Sequence, residues 1–176
     1  MMEPRAAVAD GSGVHRAERC GGTPVLEGFG DASYEEGWAQ TGVLIKYRGM
    51  LIAWKSTKQP QVPRSTAESE CTAMAYAAQF LEGIECLFVD LNIDVGRPTL
   101  YCDNRAAVHL SAGSSEWRTK ALVNRILGVR SLIELGQLSL QFKATLDMEA
   151  DLLTKFMGAK LLAKQRKLLG CVPPRQ

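Results

Sequence analysis

"YCDNRAAVHL", residues 101–110, sets an aspartate, Asp103, directly after a short apolar run and directly before an Ala-rich stretch. "TLYC" reads as a strand, and "NRAAVHLSAG" reads as a short helix closed by Gly113. In α/β folds, chemistry collects at junctions outside the carboxyl ends of strands, where loops are held by the core yet free of it. No lysine or arginine precedes Asp103 in the apolar run to neutralise it, which raises the question of its countercharge.

Upstream, "VLEGFGDAS" reads as a first strand ending at Asp31, "WAQTGVLIKY" as a second and "GMLIAWKS" as a third. Arg48 and Gly49 suit a tight turn, which makes the three an antiparallel meander. Two prolines in "KQPQVPRS" break the pattern before a long helix from about Thr66 to Leu91, with Ser65 or Thr66 placed to cap it. Downstream, "KALVNRILGVRSLIELG" is a second long helix, "QLSLQFKA" a fifth strand and "DMEADLLTKFM" a last helix. The expected class is α/β, with five strands in a mixed sheet flanked by helices.

The 176 residues suffice for one domain, and 46% hydrophobic with 23% charged residues is ordinary for a globular chain. Residues 1–24 carry hardly any large apolar side chains and read as a disordered leader, residues 25–158 as the domain, and 159–176 as a basic helix or tail. That tail belongs to a stretch, 155–176, with six basic and no acidic residues, while the net charge of the whole chain is only +2. Such a stretch could favour polyanions or could be a solvated helix. Cys20, Cys71, Cys86, Cys102 and Cys171 show no CxxC spacing and read as buried reduced thiols. With His15 and His109 the only histidines, a structural zinc site is disfavoured, as is a histidine- or cysteine-based hydrolase, since Cys71 lies in the long helix's packing pattern and His109 is six residues from Asp103. Trp38, Trp54 and Trp117 could stack on bases, although Trp54 reads more easily as sheet packing. No apolar run reaches membrane-spanning length and the first 24 residues lack the uninterrupted apolar core a secretory signal needs, so an intracellular protein, cytoplasmic or nuclear, is expected.

Four carboxylates are the candidate chemistry. Parallel pairing of the first and fourth strands would set Asp31 beside Asp103, and two such acids resist ionisation together unless a cation joins them. In the long helix, Glu68 and Glu70 project to nearly opposite sides; Met74, Ala77, Leu81, Ile84 and Phe88 fall within roughly 40° of Glu70, which therefore heads the inward stripe. A salt bridge from Glu70 to Arg64 is the structural alternative. Asp151 opens the last helix, where acids also gather to complement the helix dipole, as Asp147 and Glu149 would.

The runs "GFGDAS", "TGVLIKYRGMLIAWKSTKQPQVPRSTAESECTAM", "LYCDNRAAVHL", "RTK" and "EADLLTK" resemble the ribonuclease H domain of copia-type retrotransposon Pol polyproteins, in order and spacing, over about 130 residues. The resemblance implies a ribonuclease H-like fold, and by position it makes Asp31, Glu70, Asp103 and Asp151 the catalytic and metal-binding acids. It implies hydrolysis of the RNA strand of RNA/DNA hybrids, leaving 3′-hydroxyl and 5′-phosphate ends. Two Mg²⁺ ions roughly 4 Å apart, with Mn²⁺ a substitute, would clamp the attacking and leaving oxygens. Asn104, Arg105, Arg118 and Lys120 match positions suited to phosphate and 2′-hydroxyl contacts, though each could equally be a solvated surface residue.

Some family positions differ: Ser33 and Tyr34 replace an acid and a tryptophan, Cys71 replaces a tyrosine, and "RTKALV" lacks a histidine and an aspartate. These losses bear on substrate handling more than on metal binding. The loop "FKATLDMEA" has no histidine, so water would have to protonate the leaving group. Expected partners are an RNA/DNA hybrid and a reverse transcriptase domain of a parent polyprotein. The alternative is a silent remnant that keeps the fold and at most binds nucleic acid.

Overall fold

The structure, a computed structural model, describes residues 25–105 and 120–170. Among these residues five strands form one mixed sheet in the order β3-β2-β1-β4-β5. β1 (Leu26–Glu35), β2 (Trp38–Tyr47) and β3 (Met50–Lys58) are the expected antiparallel meander, with β3 at one edge. Arg48 and Gly49 both take positive φ, 51° and 78°, the twist a two-residue hairpin turn needs. β4 (Thr99–Cys102) runs parallel to β1, and β5 (Ser139–Phe142) runs parallel to β4.

Helix α1 (Thr66–Asp90) lies across one face of the sheet and packs beside α2 (Lys120–Glu134). Ser65 caps α1: its hydroxyl accepts from the Glu68 amide at 3.2 Å, and the Glu68 carboxylate accepts from the Arg64 amide at 2.7 Å. The inward stripe is the expected one. Glu70, Met74, Ala77 and Leu81 are buried, and Ile84 and Phe88 pack against the same core as Leu26, Val43, Ile45 and Leu100. The opposite face of the sheet carries a smaller cluster of Phe29, Leu44, Met148, Ala150 and Leu169. It is covered by two 3-10 turns, Thr145–Asp147 and Glu149–Leu153, and by helix α3 (Ala159–Leu168).

Four expectations need correction. β1 does not end at Asp31. Its parallel pairing with β4 stops at Gly30 opposite Cys102, but its antiparallel pairing with β2 continues to Glu35, so Asp31 stands inside the strand just past the end of β4. "DMEADLLTKFM" is not an α-helix but a 3-10 turn followed by loop, and the terminal α-helix begins only at Ala159. Cys86 is exposed, unlike the buried Cys71 and Cys102, because α1 turns that position away from the sheet. Trp54 is 63% exposed, since β3 is an edge strand that no element covers on that side among the described residues. Of the short helix expected after Asp103 only Asn104 and Arg105 are described; His109, Cys20, Cys171, Trp117, the leader 1–24 and residues 171–176 lie outside the described residues.

Candidate active site and metal centre

Asp31 and Asp103 meet because β1 and β4 are parallel neighbours: Gly30 pairs with Cys102, and each aspartate follows its paired residue. Glu70 reaches the same point from the first turns of α1. That approach requires Gly30, where an added methyl group would lie 2.9 Å from the Ala77 Cβ and 3.4 Å from the Ala73 carbonyl oxygen. Asp31, Glu70 and Asp103 each offer an oxygen, and these oxygens lie within 4.8 Å of one another. Asp31 is fully buried and Glu70 is 7% exposed.

Burial is the main force on the two inner acids. It pushes Asp31 up to about 7, against the lowering effects of the Thr154 hydroxyl and the Lys155 ammonium, with Asp151 and Asp103 adding repulsion. It pushes Glu70 up to about 8, reinforced by the charges of Asp31 and Asp103. The expected alternative for Glu70, a salt bridge to Arg64, does not form among the described residues. Its carboxylate instead takes a hydrogen bond from the Ala32 backbone, and its Oε2 is buried with no hydrogen-bond partner. Asp103 accepts a hydrogen bond from the Thr145 hydroxyl at 2.9 Å.

Asp151 stands outside this group of three and is linked to Asp31 through Lys155. The Lys155 Nζ is 2.6 Å from Asp151 Oδ1 and 3.4 Å from Asp31 Oδ1. Thr154 donates its hydroxyl to the other Asp31 oxygen, Oδ2. Thr154 and Lys155 directly follow the 3-10 turn, and their amides donate to the Asp151 carbonyl at 3.2 and 3.0 Å, which holds both side chains beside Asp31. Burial alone would lower the Lys155 ammonium's affinity for its proton, but the hydrogen bond to Asp151 and the charges of Asp31, Asp151 and Asp103 outweigh it and raise the pKa.

Glu149 does not act as a dipole-complementing acid. It is buried, with Lys46 Nζ 3.0 Å from its Oε1 and Lys143 Nζ 2.9 Å from its Oε2. Lys46 also donates to the Leu168 carbonyl at 2.6 Å, and Lys143 lies 4.5 Å from the Phe29 ring centroid. This pair of lysines clamps the turn and the end of α3 onto the sheet. Asp147 is exposed and pairs with Lys164 at 2.8 Å, an interaction that lowers its pKa.

Among the four residues matched to substrate contacts, Arg105 is exposed with its guanidinium 4.6 Å from the Phe142 ring centroid. Asn104 follows Asp103, and its amide donates to the Cys102 Sγ at 3.4 Å. Lys120 opens α2, and Arg118 lies outside the described residues. Thr145, Thr154 and Lys155 were not singled out from the sequence. The Asp151/Lys155 spacing of four was the one available signal for the last of them.

All donors in the cluster are carboxylate oxygens, the set that hard divalent cations prefer, and the unpartnered Glu70 Oε2 is an acceptor such a cation would satisfy. The fold is that of ribonuclease H. Over 74% of this chain and 93% of the other, it superimposes with a TM-score of 0.60 on LC11-RNase H1, isolated from compost by a metagenomic approach, at 15% identity. The same enzyme solved in complex with an RNA/DNA hybrid gives a TM-score of 0.56 at 18% identity, covering 73% of this chain and 92% of that one. RNase H1 from the halophilic archaeon Halobacterium salinarum NRC-1 also gives 0.56, at 16% identity over 73% of this chain and 92% of that one.

In sequence, the chain is similar to the retrovirus-related Pol polyprotein from transposon TNT 1-94 of Nicotiana tabacum, at 27% identity over 155 residues. That match takes in 85% of this chain but only 12% of the polyprotein. The likeness is in keeping with a copia-type Pol ribonuclease H domain. No protein-family model matches the chain. Among the described residues, no helix is long and apolar enough to cross a membrane.

Proposed function

We propose that the chain is a metal-dependent endonuclease that hydrolyses the RNA strand of RNA/DNA hybrids. The observation that carries the reading is the convergence of Asp31, Glu70 and Asp103, from β1, α1 and the end of β4, to within 4.8 Å on a ribonuclease H fold. The transposon Pol similarity and the hybrid bound to a structural neighbour support the choice of substrate. Asp31, Glu70, Asp103 and Asp151 would hold two Mg²⁺ ions, or Mn²⁺ in their place. Bound there, the ions would supply an activated water and charge neutralisation at the leaving oxygen.

The chain's own residues prepare that site. Thr154 and Lys155 hold the two oxygens of Asp31, Thr145 orients Asp103, and the Ala32 amide fixes Glu70. Because burial keeps Asp31 and Glu70 partly protonated near neutral pH, loading the site must release protons. Asn104, Arg105, Arg118 and Lys120 would hold backbone phosphates and read the 2′-hydroxyls of the RNA strand. The parent polyprotein would supply the reverse transcriptase whose hybrid product this domain degrades.

A labelled RNA/DNA hybrid, incubated with and without Mg²⁺ beside Asp103→Asn, tests the reading. Cleavage that needs both the metal and Asp103 is the expected result. Equal hybrid binding without cutting by either protein would instead make the chain a silent remnant that binds nucleic acid.

A further inference from the structure

The acid cluster has two unlike sides. On one, Asp31, Glu70 and Asp103 approach within 4.8 Å, Glu70 Oε2 is buried without a partner, and neither Glu70 nor Asp103 forms an ion pair among the described residues. On the other, Asp31 and Asp151 already share a cation, the Lys155 ammonium, at 3.4 and 2.6 Å. A lysine four residues after Asp151 and next to Thr154 is placed there by the same turn that aims Asp151 at Asp31.

An ammonium carries one charge and a divalent ion two, and like charges a few ångströms apart in a partly buried site repel strongly. Both cannot occupy the space between Asp31 and Asp151. Lys155 can leave, however, because its side chain is 38% exposed and its four-carbon stem is flexible.

We propose that Lys155 is a resident cation of the Asp31–Asp151 side, so that a divalent ion fills the Asp31/Glu70/Asp103 side first and a second ion enters only by displacing the lysine. The inference rests on the nuclease reading, and it makes Lys155 a positioning residue that sets the order of metal loading. Holding the second side with a lysine also keeps Asp151 turned toward Asp31 before any metal arrives.

Calorimetric titration with Mn²⁺, paired with counting of bound Mn²⁺ by its paramagnetic resonance signal, tests this without any turnover. The intact chain should bind one ion tightly and a second at least about tenfold more weakly, whereas Lys155→Gln should bind the second about tenfold more tightly than the intact chain does. Lys155→Arg, which keeps the charge, should retain the unequal pattern, and it decides the matter alone if Lys155→Gln fails to fold. Two equal sites in the intact chain, an unchanged second site in Lys155→Gln, or equal sites in Lys155→Arg would each overturn the proposal. Asp103→Asn separates the two levels: if the intact chain binds Mn²⁺ no better than Asp103→Asn does, the nuclease reading falls and this inference falls with it. Loss of binding confined to Asp103→Asn leaves the nuclease reading standing while the lysine variants are judged.

Discussion

Asp31 and Gly42 stand directly opposite each other in the β1–β2 ladder, and the missing side chain of Gly42 is what allows Thr154 to reach Asp31. A methyl group at Gly42 would lie 2.8 Å from the Thr154 Cγ2 and 2.9 Å from both the Ala150 carbonyl oxygen and the Leu153 Cβ. The carbonyl belongs to the backbone and cannot swing aside. Gly42→Ala should therefore push the 149–155 segment off the sheet, costing roughly 1–3 kcal/mol in urea denaturation. It should weaken Mn²⁺ binding as well, because Asp31 loses the hydroxyl and the ammonium that orient it.

The raised acids also set a pH dependence. Asp31 and Glu70 are raised to about 7 and about 8, so between their unfolded values near 4 and those points the folded chain holds more protons than the unfolded one. Their contribution to stability is full below the unfolded values and is lost as pH rises through 7 and 8. Without metal, Tm should fall across that window. Added Mg²⁺ should raise Tm more at pH 8 than at pH 6, and binding near neutral pH should release protons, read as a buffer-dependent enthalpy.

Much of this arrangement was legible in the chain. Arg48 and Gly49 suit a tight turn by residue type, and both take positive φ; the 100° advance per residue of a helix turns Glu70, not Glu68, toward the sheet. The element order allowed parallel pairing of β1 with β4, and the pairing that forms brings Asp31 and Asp103 together. What was not legible depends on partners far away in sequence. The stretch 149–155 has the composition of a helix start, but a buried Glu149 tied to Lys46, 103 residues earlier, and a Thr154 tied to Asp31, 123 residues earlier, hold it as a 3-10 turn. No local pattern carries that information. Likewise the extension of β1 past Asp31 is a property of its β2 partner, not of "GFGDAS" itself.

The Glu149 clamp should be the costliest polar contact to break. Glu149→Gln leaves two lysines, Lys46 and Lys143, facing a neutral group against Phe29 and Tyr101. An uncompensated buried charge of this kind costs roughly 3–5 kcal/mol, readable by chemical denaturation. The pair Lys46→Met with Glu149→Leu, which removes the more deeply buried of the two stranded charges and leaves the more exposed Lys143, should recover part of that loss. A Glu149→Gln protein as stable as the parent would show that the clamp adds nothing and that apolar packing of Leu169 on Met148, with the Gln165 and Lys164 hydrogen bonds, suffices to hold α3.

Thr154 should act on the chemistry more than on the fold. Its hydroxyl donates to a fully buried Asp31 oxygen and is among the influences that hold the Asp31 pKa down against burial. Thr154→Val keeps the shape, which matters because the Thr154 Cγ2 packs over Gly42, but removes the donor. Folding stability should drop by about 1–3 kcal/mol, the range for leaving one buried acceptor unsatisfied. The Asp31 pKa should move further up, since a lowering influence is gone, so the pH at which Mn²⁺ binding reaches half its plateau should rise. Thr154→Ser, which restores the hydroxyl, should bring that midpoint back toward the parent value. A Thr154→Val midpoint equal to the parent's would mean that Lys155, not Thr154, governs the Asp31 carboxylate.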